Sequence, residues 1–359
     1  MSRPAKITID LAALKHNLKE VRRFAPKSSV IAMVKSDAYG HGLVRIASAL
    51  EDAEALGVAC SEEGSMLRQA GVKNKIILME GLFSADELPR AVLNDFILIV
   101  HHVSQIEMLE KAGNIAPLSV WLKIDTGMHR LGFDPTYLKT AYSRLMNCEA
   151  VKKPIGLMTH FAESDSSDFS KTLQQIEIFN EATALLKGPK SLANSAGIIA
   201  FEKTHADWVR PGIMLYGASP FPGRTGCEHA LKPVMTLSSE LIAIHDVKKN
   251  ARVGYGGTWM CPEDMRIGVV GIGYGDGYPR HARNGTPLLV NGQPSLLVGR
   301  VSMDMITVDL RTQPNAKVGD PVLLWGEGMP VETVAEHSDT NGYELLTRIT
   351  QRVHVKVKS

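Results

Sequence analysis

The first two thirds of the chain alternate short apolar runs, many rich in β-branched residues, with stretches whose apolar residues recur at helical spacing. The runs are Ser29–Val34, Leu56–Cys60, Lys75–Met79, Phe96–Val100, Leu118–Ile124, Pro154–Met158, Ser191–Asn194 and Trp208–Leu215. Each but the last is followed by a helical pattern. The clearest is Ser170–Leu186, with Leu173, Ile176, Phe179, Ala182 and Leu186 on one stripe. Eight strands alternating with helices is the count of a (β/α)8 barrel, so the fold class expected is α/β with a TIM-type barrel. A doubly wound sheet is the alternative, but no strand runs into Gly-x-Gly-x-x-Gly.

Beyond about residue 230 the rhythm shortens. Val234–Ile244, Arg266–Ile272, Pro287–Val290, Ser295–Val298, Met303–Leu310 and Pro321–Trp325 read as closely spaced strands. Asn291-Gly292 between two of them is a hairpin signal. Two short helices, Val331–His337 and Tyr343–Ile349, and a strand Val353–Val357 complete the pattern. The expected organisation is a barrel over 10–232 and a mostly β domain over 233–359, to which residues 1–9 can add a strand.

Composition narrows the function. The 40 Lys and Arg nearly balance the 38 Asp and Glu, for a net charge of +2. That balance favours neither nucleic acid nor a membrane surface as partner. No apolar run reaches the roughly 18 residues of a membrane span, and the first residues lack the apolar stretch of a signal peptide. Cys60, Cys148, Cys227 and Cys261 are widely separated. They read as reduced thiols of a cytoplasmic protein rather than a disulfide framework or a zinc site, and no metal-ligand cluster is expected.

Barrel enzymes carry their chemistry where strands end. Lys35 follows the first run, Lys123, Asp125 and Arg130 the fifth, His160 the sixth, Asn194 and Ser195 the seventh, and Arg210, Gly212 and Ile213 lie along the eighth. An amine at an apolar barrel mouth is poised as a nucleophile toward an aldehyde. Taken singly, Lys35 reads as a solvated strand-end lysine, His160 as a core histidine and Arg210 as half of a salt bridge.

Together these residues resemble a known family. Val34–Gly42, Leu122–Gly132, Asp207–Ile213, Val253–Gly257, Gly273–Arg280 and Gly299–Met305 match motifs of the alanine racemases, pyridoxal 5′-phosphate enzymes of bacteria, and the resemblance runs through both halves of the chain. It implies that Lys35 carries the cofactor as a Schiff base and is one of two bases. Tyr255, from the partner subunit, is the other. By the same resemblance Arg210 faces the pyridine nitrogen and His160 links it to the tyrosine. Tyr39, Tyr343, Ser195 and the amides of Gly212 and Ile213 hold the phosphate, with Asn194 beside them. Arg130 and the Met303 amide take the substrate carboxylate. Lys123 matches a lysine often carbamylated in the family, where it holds the arginine; the alternative is an unmodified Lys123 paired with a carboxylate such as Asp125. Tyr274, Arg280, Asp165 and Asp304 match the access corridor or dimer contact. A homodimer with shared sites follows. Ser36-Asp37 stands where the family usually has Ala-Asn, which leaves the hydrogen bonding beside Lys35 open.

The activity implied is interconversion of L- and D-alanine, for peptidoglycan or for degradation of D-alanine. A broad-specificity amino-acid racemase and a non-catalytic barrel that binds the cofactor are the alternatives. The β domain with Tyr255 argues against the second.

Overall fold

The computed structural model describes residues 3–358. Strand β1 (Lys6–Asp10) and the helix Leu11–Phe24 precede eight parallel strands that close on themselves. These are β2 (Ser29–Met33), β3 (Ala55–Val58), β4 (Lys75–Leu78), β5 (Phe96–Val100), β6 (Leu118–Lys123), β7 (Val151–Met158), β8 (Lys190–Ser191) and β9 (Trp208–Val209). Ser29 and Val30 of β2 pair with Trp208 and Val209 of β9, which closes the ring. Helices such as Leu43–Ala49, Ser61–Gln69, Leu138–Asn147 and Ser170–Thr183 connect the strands. Val30, Leu56, Ile76, Leu122 and Leu157 are fully buried. Gly156 shows how close the packing is: a Cβ there would lie 2.2 Å from the Trp121 ring, so the indole occupies the space a side chain would need.

Three expectations for the barrel are corrected. The seventh strand covers Lys190–Ser191 only, because Asn194 leaves the sheet to cap the helix Ser195–Ala200, its Oδ1 accepting the Gly197 amide at 2.9 Å. The eighth stops at Val209, and Ile213–Tyr216 is a 3-10 turn. On Ser170–Thr183, Leu173 is half exposed while Thr172, Gln175 and Thr183 are buried. The stripe is rotated because buried polar groups there find partners: Thr183 Oγ1 donates to the Phe179 carbonyl, and Gln175 bonds three groups.

By internal contacts the chain divides into two units, Leu18–Leu215 and Met1–Asn17 with Tyr216–Ser359. The second unit is built on β10 (Met235–Val247), β11 (Arg252–Val253), β12 (Trp259–Met260), β13 (Met265–Val270), β14 (Pro287–Val290), β15 (Gln293–Val298), β16 (Ile306–Asp309), β17 (Pro321–Trp325) and β18 (His354–Lys358). The sheet order is β13-β16-β15-β14-β17-β10-β1-β18, and β13 also pairs with β10, so six strands close on themselves. The long β10 manages both pairings through an irregularity at Leu241–Ala243. β1 pairs antiparallel with β10 and parallel with β18. Asn291 (φ 51°) and Gly292 (φ 74°) form the two-residue turn between β14 and β15. The strand expected from Met303 begins only at Ile306, since Ser302–Met305 is a turn closed by the Ser302 amide on the Met305 carbonyl.

Candidate active site

Lys35 follows β2 and starts a turn of unusual hand. Ser36, Asp37, Ala38 and Tyr39 all have φ between 51° and 56°. L-residues resist this region at about 1–2 kcal/mol each, so the segment persists only because its surroundings hold it. The buried His41 donates from Nδ1 toward the carbonyls of Ala38 and Tyr39, and burial depresses its pKa to about 4, keeping the ring neutral. Asp37 Oδ1 accepts the Leu43 amide at 2.7 Å, at the start of the next helix. The Ser36 amide donates to Glu63. These bonds settle the question raised by Ser36-Asp37. Asp37 acts through one carboxylate oxygen on a backbone amide, a bond that an asparagine side-chain oxygen can also make.

Arg210 is buried and donates to the Ser191 hydroxyl at 2.6 Å, the Thr159 carbonyl at 2.6 Å and the Leu192 carbonyl at 3.0 Å. Its Nη2 also faces His160 Nδ1 at 3.4 Å. None of these partners is a carboxylate, and among the described residues Arg210 makes no salt bridge. Burial lowers the guanidinium pKa only to about 10, and the group stays charged near neutral pH. Desolvation and the charges of Arg210, Lys123, Arg130 and Lys35 push His160 well below the usual imidazole range. Arginine only donates, so Nδ1 of the neutral ring accepts and the proton sits on Nε2. Gln175 holds the segment from behind, donating to the His160 carbonyl and Thr126 Oγ1 and accepting the Ala162 amide.

Tyr39 is nearly buried, and desolvation raises its phenol to about 12, so it is a firm donor. A Cβ on Gly212 would lie 2.5 Å from the Tyr39 hydroxyl. Only glycine leaves that space, and backbone and phenol line it together. Ser195 Oγ accepts the Gly212 amide at 2.9 Å and the Met214 amide at 3.4 Å. Tyr39, Ser195 and Gly212 thus form one cluster. Asn194 serves it from below, bonding Gly197 and Ser164.

Lys123 is buried at the end of β6. Desolvation, then the charges of Arg210, Arg130 and Lys35, lower its amine to about 8. The alternative, a pairing of Lys123 with Asp125, is not made. Asp125 Oδ1 instead accepts the amides of Gly127, Met128 and His129, and among the described residues no carboxylate lies within 4 Å of Lys123. Arg130 is exposed on the same loop. Lys35, Lys123, Arg130 and Arg210 therefore share one region, and its neighbouring carboxylates, Asp125 and Glu63, are bonded to backbone amides. Such a region is built for an anionic ligand.

Most of the other candidates lie in the second unit. Tyr255 sits in the turn between β11 and β12, between two glycines with φ of 70°, and is 72% exposed. It is not packed into a strand. Tyr343 is the second residue of the helix Gly342–Thr347, capped by Asn341. Met303 is half exposed in the Ser302–Met305 turn, and its carbonyl accepts the Gly275 amide, which ties this turn to the segment carrying Tyr274. Asp304 pairs with Arg352 and Arg3, which also bracket the buried Asp276. Arg280 is exposed, as is Asp165 of the barrel unit. Sequence reasoning missed Gln175, Glu63, His41 and Asp276. The one local signal was a glutamine interrupting the apolar stripe of a helix.

A closed (β/α)8 barrel with a strand-end lysine, a buried arginine whose hydrogen-bond partners include no carboxylate, and a separate β unit defines a class of two-unit barrel proteins with a basic site at the strand ends. The chain belongs to the alanine racemase family. Residues 9–220 match the alanine racemase N-terminal domain and residues 234–357 the C-terminal domain. The alanine racemase of Coxiella burnetii is 52% identical over 354 residues, covering 97% of either chain. That of Nitrosococcus oceani is 52% identical over 347 residues, covering 96% of this chain and 97% of its own. Among solved structures, the biosynthetic alanine racemase of Pseudomonas aeruginosa superposes with a TM-score of 0.97 at 44% identity, covering 99% of this chain and all of its own. The alanine racemase of Acinetobacter baumannii gives 0.92 at 39% identity over 99% of this chain and 100% of its own. The chain is accordingly an enzyme with alanine racemase activity.

Proposed function

We propose that the enzyme binds pyridoxal 5′-phosphate through Lys35 and racemises alanine with two bases, Lys35 and Tyr255 of a second copy. The observation that carries the reading is the group of cations around Lys35, with a buried Arg210 whose hydrogen-bond partners include no carboxylate. The donor set fits the group. The phenol of Tyr39, the Ser195 hydroxyl and the backbone at Gly212, where a Cβ would not fit, suit a phosphate. The amide of Ile213 and the Tyr343 hydroxyl complete that cradle in this reading. When bound, the cofactor withdraws the electron pair left as the α-proton departs.

The remaining steps belong to the protein. Lys35 takes or returns the α-proton on one face, and Tyr255 does so on the other, so the substrate need not turn over. The exposure of Tyr255 in its own unit leaves its hydroxyl available to a partner. A phenol needs stabilisation of its anion to serve as a base, and the Nε2–H of His160 is the donor for it. Arg210, which keeps its own protons, would leave a cofactor ring nitrogen held against it unprotonated. This weakens electron withdrawal and disfavours transamination. Arg130 and the Met303 amide orient the substrate carboxylate. A Lys123 amine near pH 8 is partly neutral in the cell and open to carbon dioxide. The resulting carbamate is an anion that holds Arg130. Tyr274 and Asp304 line the approach.

A homodimer follows, since each site draws on both copies. Supply of D-alanine for peptidoglycan in the cytoplasm is the physiological reading, supported by the description of the Pseudomonas aeruginosa relative as biosynthetic. Borohydride reduction followed by peptide mapping tests the assignment. It should fix the cofactor on Lys35. An adduct on another lysine would overturn it.

A further inference from the structure

We infer that Glu63 is a positioning residue for Lys35, because its carboxylate bridges the backbone just after the lysine to the end of the neighbouring barrel strand. Glu63 Oε1 accepts the Ser36 amide at 2.8 Å, and Oε2 accepts the Ala59 amide at 2.8 Å. Ala59 follows β3, so one side chain ties the exits of β2 and β3 together. The bond falls where the left-handed turn is least self-supporting. Further along, the Ala38 amide reaches the Val34 carbonyl, the His41 amide the Ala38 carbonyl and the Gly42 amide the Asp37 carbonyl. The Ser36 amide, at the start of the strained segment, is met by Glu63 instead. Glu63 lies in the first turn of the helix Ser61–Gln69, where the exposed amide ends favour a negative charge. A bidentate carboxylate on two amides fixes direction as well as distance. Its neighbour Glu62 points elsewhere and pairs with Arg90.

The inference rests on reading Lys35 as the cofactor-bearing amine, and the test separates the two. Glu63→Ala, Glu63→Gln and Glu62→Gln are compared with the wild-type holoenzyme. Four quantities are measured: cofactor dissociation constant, pH titration of the bound cofactor's absorbance band, kcat and KM for alanine, and melting temperature. Glu63→Ala should weaken cofactor binding about tenfold or more, shift the midpoint of the band's titration and lower kcat more than it raises KM. Glu63→Gln keeps one acceptor and should fall between. It carries the test alone if the alanine variant does not fold. Glu62→Gln should match the wild type. Wild-type cofactor affinity, band and kcat in Glu63→Gln and Glu63→Ala would overturn the inference, as would losses that only track a fallen melting temperature with the titration unmoved. If borohydride places the cofactor of the wild type on another lysine, the reading of Lys35 fails. If it remains on Lys35 while the Glu63 variants are unchanged, only the role of Glu63 fails.

Discussion

The Nη2 of Arg210 faces Nδ1 of His160 at 3.4 Å, and this pairing assigns the histidine's proton. A guanidinium cannot accept, so the imidazole must accept at Nδ1 and carry hydrogen at Nε2. Desolvation by burial, together with the surrounding cations, keeps the ring neutral. Arg210 thereby controls both a neighbouring base and any acceptor nitrogen placed against it.

Replacing Arg210 with Glu should lower racemisation and raise transamination. A carboxylate can accept a proton shared with the ring nitrogen, which strengthens electron withdrawal. Arg210→Gln, which restores a neutral donor, should move the partition less. Product analysis during turnover of alanine checks this, and an unchanged ratio of the two reactions in Arg210→Glu would remove Arg210 from that role.

Lys123 predicts a pH dependence of stability. Its folded pKa, about 8, lies below the ordinary 10.5. Between these values the unfolded chain binds a proton that the folded chain does not, so stability should rise with pH across that window. The cost of holding the charged amine is full below about pH 8 and amounts to at most about 3 kcal/mol. In buffer free of carbon dioxide, the melting-temperature advantage of Lys123→Met over wild type should shrink from pH 7 to pH 10. Added bicarbonate should stabilise the wild type alone, by making the side chain an anion beside Arg130. A gap that is constant in pH would show that Lys123 is not held charged at a cost.

Arg130→Ala should leave the cofactor bound and reduce kcat/KM for alanine by about tenfold to a hundredfold, the loss of a charge-assisted contact. Spectra of the purified variant together with steady-state kinetics decide the point. A colourless preparation would place Arg130 in cofactor binding instead.

Shared sites predict complementation. Lys35→Ala and Tyr255→Phe should each be inactive, yet dimers containing one of each hold one intact site and one doubly defective site. Random pairing makes about half the dimers mixed, so roughly a quarter of all sites should recover after co-refolding. Mixed dimers isolated by two tags and found inactive would assign both residues to the same chain's site.

The alternation of β and helical segments from residue 29 to residue 209, the Asn291-Gly292 hairpin and the family motifs were legible in the sequence. Each depends on residues close together along the chain, through pleat period, turn conformation or a contiguous motif. What lay beyond the sequence depends on partners far apart in it. The nine-residue motif Val34–Gly42 around Lys35 does not reveal that four residues are left-handed, because the groups that hold them include Glu63, 27 positions away from Ser36. Arg210 reads as half of a salt bridge until the fold surrounds it with Thr159, Ser191 and Leu192. The rotated face of Ser170–Thr183 could not be found by counting apolar residues, since Gln175 is buried by bonds to Thr126, His160 and Ala162. Local pattern fixes which segments become strands and helices. Only closure of the barrel decides which polar groups are desolvated together, and that shared desolvation sets the charges of Lys123, His160 and Arg210.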